Sequence, residues 1–463
     1  MSDVFDLLIV GGGINGVGIA RDAAGRGLKV LLCDKGDLAG ATSSASSKMI
    51  HGGLRYLEHG GFRLVRESLA EREVLLGIAP HLVRPMRFVL PHGPGLRPRW
   101  MLRAGLFLYD RLGGARSVPG SAAVDLRDGP LASPLRDAVT SGFVYSDCVV
   151  DDARLTVANA RDAARHGAEI VTRSEFVAAR RDSGLWRMTL RDADNGGERE
   201  VAARILVNVA GPWVPEVLRR AGIVSRAQLR LDKGSHIVVP RLYAHDHAYL
   251  LQNDDRRVVF VIPFERDHTL IGTTEVAVAA PPAEPPSEAE IAYLCRAVGH
   301  WFKEAPRPED VVWRYSGLRP LYDDGSRSAS ATSRDYVFEL DDAGAPALSV
   351  FGGKLTTYRR LAEAALARLV AHLPGIGPPW TAASPLPDDD ARFGDADEFA
   401  PGLGRAQVDF LMREEWARSA DDILWRRSKA GLVASPEQRA ALERYVTSRA
   451  AEAVAPAVQT ADR

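Results

Sequence analysis

Six consecutive residues, Gly11-Gly12-Gly13-Ile14-Asn15-Gly16, put glycine in all three slots of a GxGxxG turn. An apolar run, VFDLLIV (4–10), precedes them, and a small-residue stretch leads on to a second apolar run, KVLLCD (29–34). A strand–turn–helix–strand built on that turn cradles a dinucleotide pyrophosphate. Gly11 permits the tight turn, Gly13 lets the backbone approach the phosphates, and Gly16 lets helix and strand pack closely. The helix start adds amides and the positive end of its dipole. Asp34 ends the second strand and is the expected acceptor for the ribose hydroxyls. Downstream, Gly352-Gly353 separates a strand-like run from a helix-like one. In a flavin site that helix start would face the N1–C2=O edge and stabilise the charge formed on reduction, which favours a flavin over a nicotinamide. Ala210-Gly211-Pro212-Trp213, after ILVNV, offers another close backbone approach.

A second set of residues suits a small anionic alcohol. The Ser/Gly-rich stretch 36–61 carries Lys48, His51, Arg55 and Tyr56, too much chemistry for a linker, and reads as a folded, ligand-facing segment. Arg55, Arg319, Arg334 and Lys354 stand beside glycine or turn residues and are the candidate cationic donors for a phosphate; Tyr56 adds a hydroxyl. Lys and Arg total 59, of which only seven are lysine, so one arginine says little and Lys354 says more. A cation at a helix start opposes the dipole, a placement that suggests a ligand. For removing an alcohol proton, His51 is the first candidate base and His236 the second, since a neutral imidazole titrates near working pH. The plain alternatives are a His51 that packs on the flavin and a His236 satisfied in the core. Arg319 would stabilise a developing alkoxide beside His51, and Thr273-Thr274 would hydrogen-bond flavin or substrate.

These residues need a large scaffold. The chain has 463 residues, enough for two or three domains, with 46% hydrophobic and 26% charged residues. A net charge of −1 argues against a nucleic-acid coat. Cys33, Cys148 and Cys295 fit no zinc spacing; no metal site is expected, and three sparse cysteines suit a reducing cytosol. The N-terminus has no signal-peptide pattern, and no run reaches the ~18 apolar residues of a spanning helix, so the chain is expected to be soluble or to sit on one membrane face.

The pattern predicts helices at 63–78, 151–167 and 287–303, and a meander of strands at 169–180, 184–191 and 199–209. It predicts an antiparallel sheet over 235–275, a strand at 346–351 and an amphipathic helix over 355–373. Residues 84–116 are basic and proline-punctuated and read as a solvated helical subdomain. A lipid-facing patch is the second reading there, because Trp100, Phe107 and Tyr109 interleave with the basic residues. Arg359, Arg360 and Arg368 give the 355–373 helix a basic edge that could also meet lipid. Residues 378–402 read as a linker and 404–455 as a helical module.

Ten blocks, among them DLLIVGGGINGVGIARDAAGRG, ATSSASSKMIHGGLRYLEHG, YSDCVVDDARL, KGSHIVVPR, IGTTE, YSGLRPL, TSRDY, LSVFGGKLTTYR and DDILWRRSKAGL, run collinearly from residue 6 to about 432. Together they resemble the FAD-dependent glycerol-3-phosphate dehydrogenases of the D-amino-acid-oxidase-like flavoprotein group. The resemblance implies an α/β fold: a Rossmann-like FAD-binding domain, an inserted antiparallel-sheet substrate or cap domain, and a small helical C-terminal module. The corresponding boundaries are FAD-binding at 1–83, 141–229 and 334–377, a basic cap subdomain at 84–140, a substrate domain at 230–333, a linker at 378–403 and the module at 404–463. It adds Thr42, Ser43, Lys48, His51, Gly52, Val177 and Thr356 to the cofactor set, and assigns Arg55, Tyr56, His236, Thr274, Arg319, Arg334 and Lys354 to substrate. His51, Arg319 and Lys354 take the catalytic roles. The reaction implied is oxidation of glycerol 3-phosphate to dihydroxyacetone phosphate, with electrons leaving FAD for membrane quinone. Family members lie peripherally on the inner face of the cytoplasmic membrane, often as homodimers. The rivals are an oxygen-using oxidase of the same substrate and an FAD amine or amino-acid oxidase. One departure is visible: residues 391–407 stand where the family carries a longer run of helices, so the C-terminal module is expected to be shortened.

Overall fold

The computed structural model describes residues 4–255, 257–323, 335–388 and 397–458. The chain opens with β1 (Val4–Val10), α1 (Ile14–Gly25), β2 (Val30–Cys33), β3 (Met49–Ile50) and α2 (Phe62–Ile78). β4 (Val83–His92), α3 (Arg99–Leu112), β5 (Ala122–Asp125), β6 (Ser141–Val150) and α4 (Asp152–Arg165) follow. Next come β7 (Glu169–Val171), β8 (Ser174–Asp182), β9 (Leu185–Asp192), β10 (Glu198–Asn208) and α5 (Val214–Arg220). The middle of the chain supplies β11 (Leu229–Pro240), β12 (Ala248–Gln252), β13 (Val258–Phe264), β14 (His268–Gly272), β15 (Val276–Val278) and α6 (Glu288–Trp301). The last elements are β16 (Trp313–Tyr322), β17 (Val337–Asp341), β18 (Ala347–Phe351), α7 (Tyr358–Leu369), β19 (Glu398–Ala400), β20 (Leu403–Gly404), α8 (Arg405–Glu414) and α9 (Pro436–Val458).

The first sheet has the order β17-β18-β10-β1-β2-β7, with the β8–β9 meander attached to β10. β1 pairs in parallel with both β2 and β10, in the register Leu7↔Val30 and Leu7↔Ile205. Its strands are near-continuous apolar runs because both faces are covered. α1 is the crossover from β1 to β2, and α4 and α7 pack against it. Glycines make that layer thin: a methyl at Gly18 would stand 2.8 Å from the Tyr358 ring, and one at Gly25 would stand 2.1 Å from Trp380.

The second sheet runs β15-β11-β14-β13-β12-β4-β6-β3, with β16 on β11 and β5 on β6. Period-two alternation divides its faces. Val259, Val261 and Ile271 turn toward α6, whereas Ile262, Leu270 and Phe88 turn toward α2 and α3. The C-terminal module carries its own core, running from Ala400 to Val446. The three cysteines are buried and unbonded.

The helical reading of 84–116 needs correction. Its first part is β4, a ten-residue strand with Phe88, Val89 and Leu90 buried between two cores. β12 pairs only with Phe88 and Val89, so Pro85 and Pro91 fall outside the stretch bonded on that side. The boundary at 141 shifts as well. β6 pairs with β4 from Val83↔Val150 to His92↔Ser141 and belongs to the second sheet; the chain returns to the first domain at Asp151, the N-cap of α4.

Arg359 does not lie on a lipid-facing edge. It is 4% exposed, and its guanidinium grips both oxygens of Glu71 on α2 at 2.8 and 2.6 Å. Arg360, by contrast, is exposed. Removing one partner of a buried pair strands the other charge, so Arg359→Ala should cost about 3–5 kcal/mol in denaturant unfolding. Arg360→Ala should stay within about 0.5 kcal/mol.

Candidate active site

The carboxyl ends of β1, β2, β10 and β18 border a cleft of about 1860 Å³, open solvent included. Its geometry explains each glycine of the first turn. Gly11 has φ +123°, a conformation that L side chains rarely adopt. A methyl on Gly13 would stand 3.0 Å from Ser43 Oγ, and a methyl on Gly16 only 1.8 Å from the Gly11 carbonyl oxygen. Gly13 caps α1 without a side chain, and Ser43 Oγ accepts the Ile14 N–H at 2.9 Å from across the cleft. A dinucleotide pyrophosphate fits this helix start, where glycines leave the backbone open to close approach and the Ser43 hydroxyl stands beside it. Asp34 lines the same cleft and accepts N–H groups of Gly12 (2.6 Å) and Gly36 (2.8 Å). Burial raises its carboxyl, against the pull of those amides.

Gly11, Gly13, Ile14, Asn15, Asp34, Thr42, Ser43, Ala210, Gly211, Gly352, Gly353 and Lys354 all line the cleft. Asn15 Nδ2 donates to the Gly352 carbonyl at 3.3 Å, tying the end of β18 to the start of α1. Gly12 and Gly16 shape the turn from behind. Other expected cofactor residues stand elsewhere. Lys48 is buried, with Nζ on Asp152 at 2.7 Å and on the Ser44 carbonyl at 2.9 Å, so it braces the 42–48 loop. Val177 sits at a bulge of β8, just past the lining segment Ser174–Phe176. Gly52 and Thr356 are buried beside His51, outside the cleft lining.

A second cavity, about 840 Å³ with open solvent, is lined by His51, Arg55, Tyr56, Thr274 and Arg319. It also takes Tyr145, Asp147, Arg257, Phe260 and Glu275, which the sequence pattern did not single out. The two spaces adjoin. Arg319 lines the cavity while the next residue, Pro320, lines the cleft. Lys354 Nζ, in the cleft wall, lies 4.0 Å from the centroid of the Tyr56 ring, in the cavity wall. Arg334 lies outside the described residues.

Buried polar chains hold these side chains in place. Beside His51, the Gly52 N–H donates to Tyr109 Oη (2.8 Å), and that hydroxyl donates to Asp147, also at 2.8 Å. Arg72 Nη1 reaches Asp147 at 3.0 Å, and burial lifts this carboxyl to about 6. The His51 N–H donates to Thr356 Oγ1 at 3.3 Å. Arg319 Nη2 donates to Thr273 Oγ1 at 3.1 Å and passes over Gly234, where a methyl would stand 2.6 Å from it.

His236 lines neither space. It is buried, stacked on Tyr315 (4.9 Å between centroids) and bonded through Nε2 to Ser47 Oγ at 2.9 Å. Burial, with Arg319 and Lys48 nearby, holds it neutral far below the usual histidine range. It is a core histidine behind the site. The residues that the pattern passed over left weak signals: Phe260 alternates with buried neighbours on β13, and Asp422 and Arg426, which line the cleft, belong to the DDILWRR block.

Thr274 is fixed by Glu290, whose Oε1 accepts from its hydroxyl (3.0 Å) and from Ser235 (2.7 Å). Lys233 Nζ and the Ser287 N–H take Oε2 at 2.8 and 2.9 Å. Burial alone would raise this carboxyl, but those bonds outweigh it and bring it down to about 2. The folded value is below the ~4.3 of an unfolded glutamate, so the carboxylate stabilises the fold above that pH and ceases to as pH falls toward 2. Glu290→Gln should therefore lose about 2 kcal/mol in urea unfolding near pH 6, and the gap should close between about pH 4 and pH 2.

Residues 6–359 match the family described as FAD dependent oxidoreductase. The chain is 48% identical to a D-erythritol 1-phosphate dehydrogenase of Brucella abortus, over 94% of this chain and 96% of that one. It is likewise 48% identical to a glycerol-3-phosphate dehydrogenase of Pseudomonas aeruginosa, over 97% and 96%. Among solved structures, a glycerol-3-phosphate dehydrogenase of Bacillus halodurans complexed with FAD superposes with a TM-score of 0.70 at 24% identity, covering 92% of this chain and 86% of that one. The chain thus belongs to the FAD-dependent oxidoreductases of the glycerol-3-phosphate dehydrogenase family.

Proposed function

We propose that the enzyme oxidises sn-glycerol 3-phosphate to dihydroxyacetone phosphate and passes the electrons to a membrane quinone. The observation that carries this reading is the cationic cavity of Arg55 and Arg319 opening beside Lys354 of the FAD cleft. FAD, when bound, supplies the hydride acceptor at N5. The protein's own groups hold the substrate and handle its proton. Arg55, Arg319 and Lys354 grip the phosphate dianion. His51 accepts the C2 hydroxyl proton as hydride leaves C2, and Arg319 stabilises the oxygen as charge develops there. Carbon loses two electrons and a hydrogen, and the hydroxyl loses its proton, leaving a ketone. His236 and Thr274 serve by shaping the wall rather than by touching the reacting atoms.

A second reading keeps the mechanism and lengthens the substrate to D-erythritol 1-phosphate. It is favoured by the Brucella relative, as similar to this chain as the Pseudomonas one. Asp147, Arg257 and Glu275 in the same cavity wall would receive the additional hydroxyl. Anaerobic addition of each phosphate to the holoenzyme tests both: glycerol 3-phosphate should bleach the flavin absorbance, and bleaching by D-erythritol 1-phosphate alone would replace the first reading with the second. Arg319→Ala should lower kcat/KM roughly ten- to hundredfold. Reduced enzyme should reoxidise faster with a soluble quinone than with oxygen, which separates a dehydrogenase from an oxidase.

The quinone reading goes with a peripheral place on the inner face of the cytoplasmic membrane, and the homodimer rests on the family resemblance alone. No helix among the described residues is long and apolar enough to cross a membrane. Support for a peripheral contact comes from α3, where Trp100 is 70% and Phe107 51% exposed, among exposed Arg99, Arg103 and Arg111. Aromatics interleaved with arginine suit an anionic lipid surface. The double variant Trp100→Ala/Phe107→Ala should cosediment with vesicles containing anionic phospholipid at least severalfold less than wild type, with activity on soluble acceptor retained.

A further inference from the structure

The FAD cleft is not built from the FAD domain alone. Up to Leu355 its lining comes from the family's core region, but Asp422 and Arg426 come from the C-terminal module. That module has a separate apolar core, from Ala400 to Val446. What joins it to the rest at this point is charge. Arg427, fully buried, pairs bidentately with Asp37: Nη1 to Oδ2 and Nη2 to Oδ1, each at 2.7 Å. Arg426 Nε adds a third bond to Asp37 Oδ2 at 2.6 Å. Asp422 takes Arg173 Nη2 at 2.9 Å and the Arg418 and Ser419 amides at 2.8 and 3.0 Å, which holds it ionised at about 2 despite burial. Trp425, one residue earlier than Arg426, stacks on Trp313 of β16 at 4.7 Å, on the strand that carries Arg319.

Asp37 lies on the loop after β2, three residues past Asp34, and both line the cleft. The acid at the end of β2 marks the ribose end of a dinucleotide site. The C-terminal arginines therefore grip the loop that presents that acid. Buried ion pairs are poor glue, because desolvation offsets much of their attraction; what they supply here is geometry. Arg426 has donors to spare. Nε is used on Asp37 and Nη2 on Asp422, and Nη1 makes no hydrogen bond among the described residues, on a side chain that lines the cleft.

We infer that the C-terminal module is part of the cofactor site: Arg426 donates to an oxygen of the ADP half of FAD, and Arg427–Asp37 docks the module where it can do so. Ribose hydroxyl and pyrophosphate oxygens share the acceptor chemistry that Arg426 would meet. Binding of the ADP half and docking of the module are then coupled, each strengthening the other by the same factor. This holds whichever polyol phosphate the enzyme oxidises.

The test uses full-length apoprotein titrated with FAD, ADP and FMN, which lacks the ADP half. Loss of one charge-assisted hydrogen bond should weaken FAD and ADP binding roughly ten- to hundredfold in Arg426→Ala and leave FMN binding at the wild-type value. Arg413→Ala, an exposed change in the same module, should bind all three as wild type does. Unchanged FAD and ADP affinity in Arg426→Ala, or an equal loss for FMN, overturns the proposal. Amide hydrogen exchange on the wild type decides the question even if the variant misfolds. Slower exchange across 418–432 when ADP is added to apoprotein supports the coupling, and unchanged exchange there overturns it. None of these readouts involves turnover, so they stand apart from the substrate assignment.

Discussion

The crossing of α1 over β1 is the contact on which the rest of the molecule depends. At Gly16 the helix comes so near the Gly11 carbonyl that a single methyl would overlap it. That separation aims the helix start and the positive end of its dipole at the cleft. It also sets the depth of the layer beneath, in which Tyr358 and Trp380 lie against Gly18 and Gly25. Side-chain bulk anywhere along this line would push α7, and with it Lys354, away from the cofactor.

From that anchor the protein brings a second sheet to the mouth of the cleft. The junction is made by consecutive residues: Arg319 faces the cavity and Pro320 faces the cleft because neighbouring residues of a strand point to opposite sides. On the other side, the short strand β3 runs into His51 and the Gly53 turn, tethered by Thr356 on one flank and by Tyr109 on the other. The cleft is thus walled mainly by one sheet and the adjoining cavity mainly by the other. Arg319 is positioned by a hydrogen bond to Thr273, and Lys354 lies against the face of Tyr56.

Buried charge does most of the positioning. Lys48–Asp152, Arg72–Asp147, Lys233–Glu290, Arg359–Glu71 and Arg427–Asp37 each join segments distant in sequence. In a low-dielectric interior such pairs add little net stability over apolar packing, yet they tolerate few alternative arrangements. Four of them, all but Arg359–Glu71, hold residues that line the two cavities, where a displacement of an ångström would alter the site geometry.

The sequence by itself determined the strand–turn–helix–strand of the FAD site, because every interaction it needs is local: a glycine for a positive φ, a glycine for a close crossing, an acid at the next strand end. It also determined the family, through ten ordered blocks, and it singled out the segment carrying His51, Arg55 and Tyr56. Tertiary structure alone decided which charged residues face ligand and which face each other. Lys48 and Arg359 read as ligand or lipid contacts until Asp152 and Glu71, 104 and 288 residues away, are seen to occupy them. β4 reads as proline-broken until the cores on both of its faces are in place. Burial and pairing depend on partners brought together only by the closed fold, and no spacing along the chain encodes the distance between them.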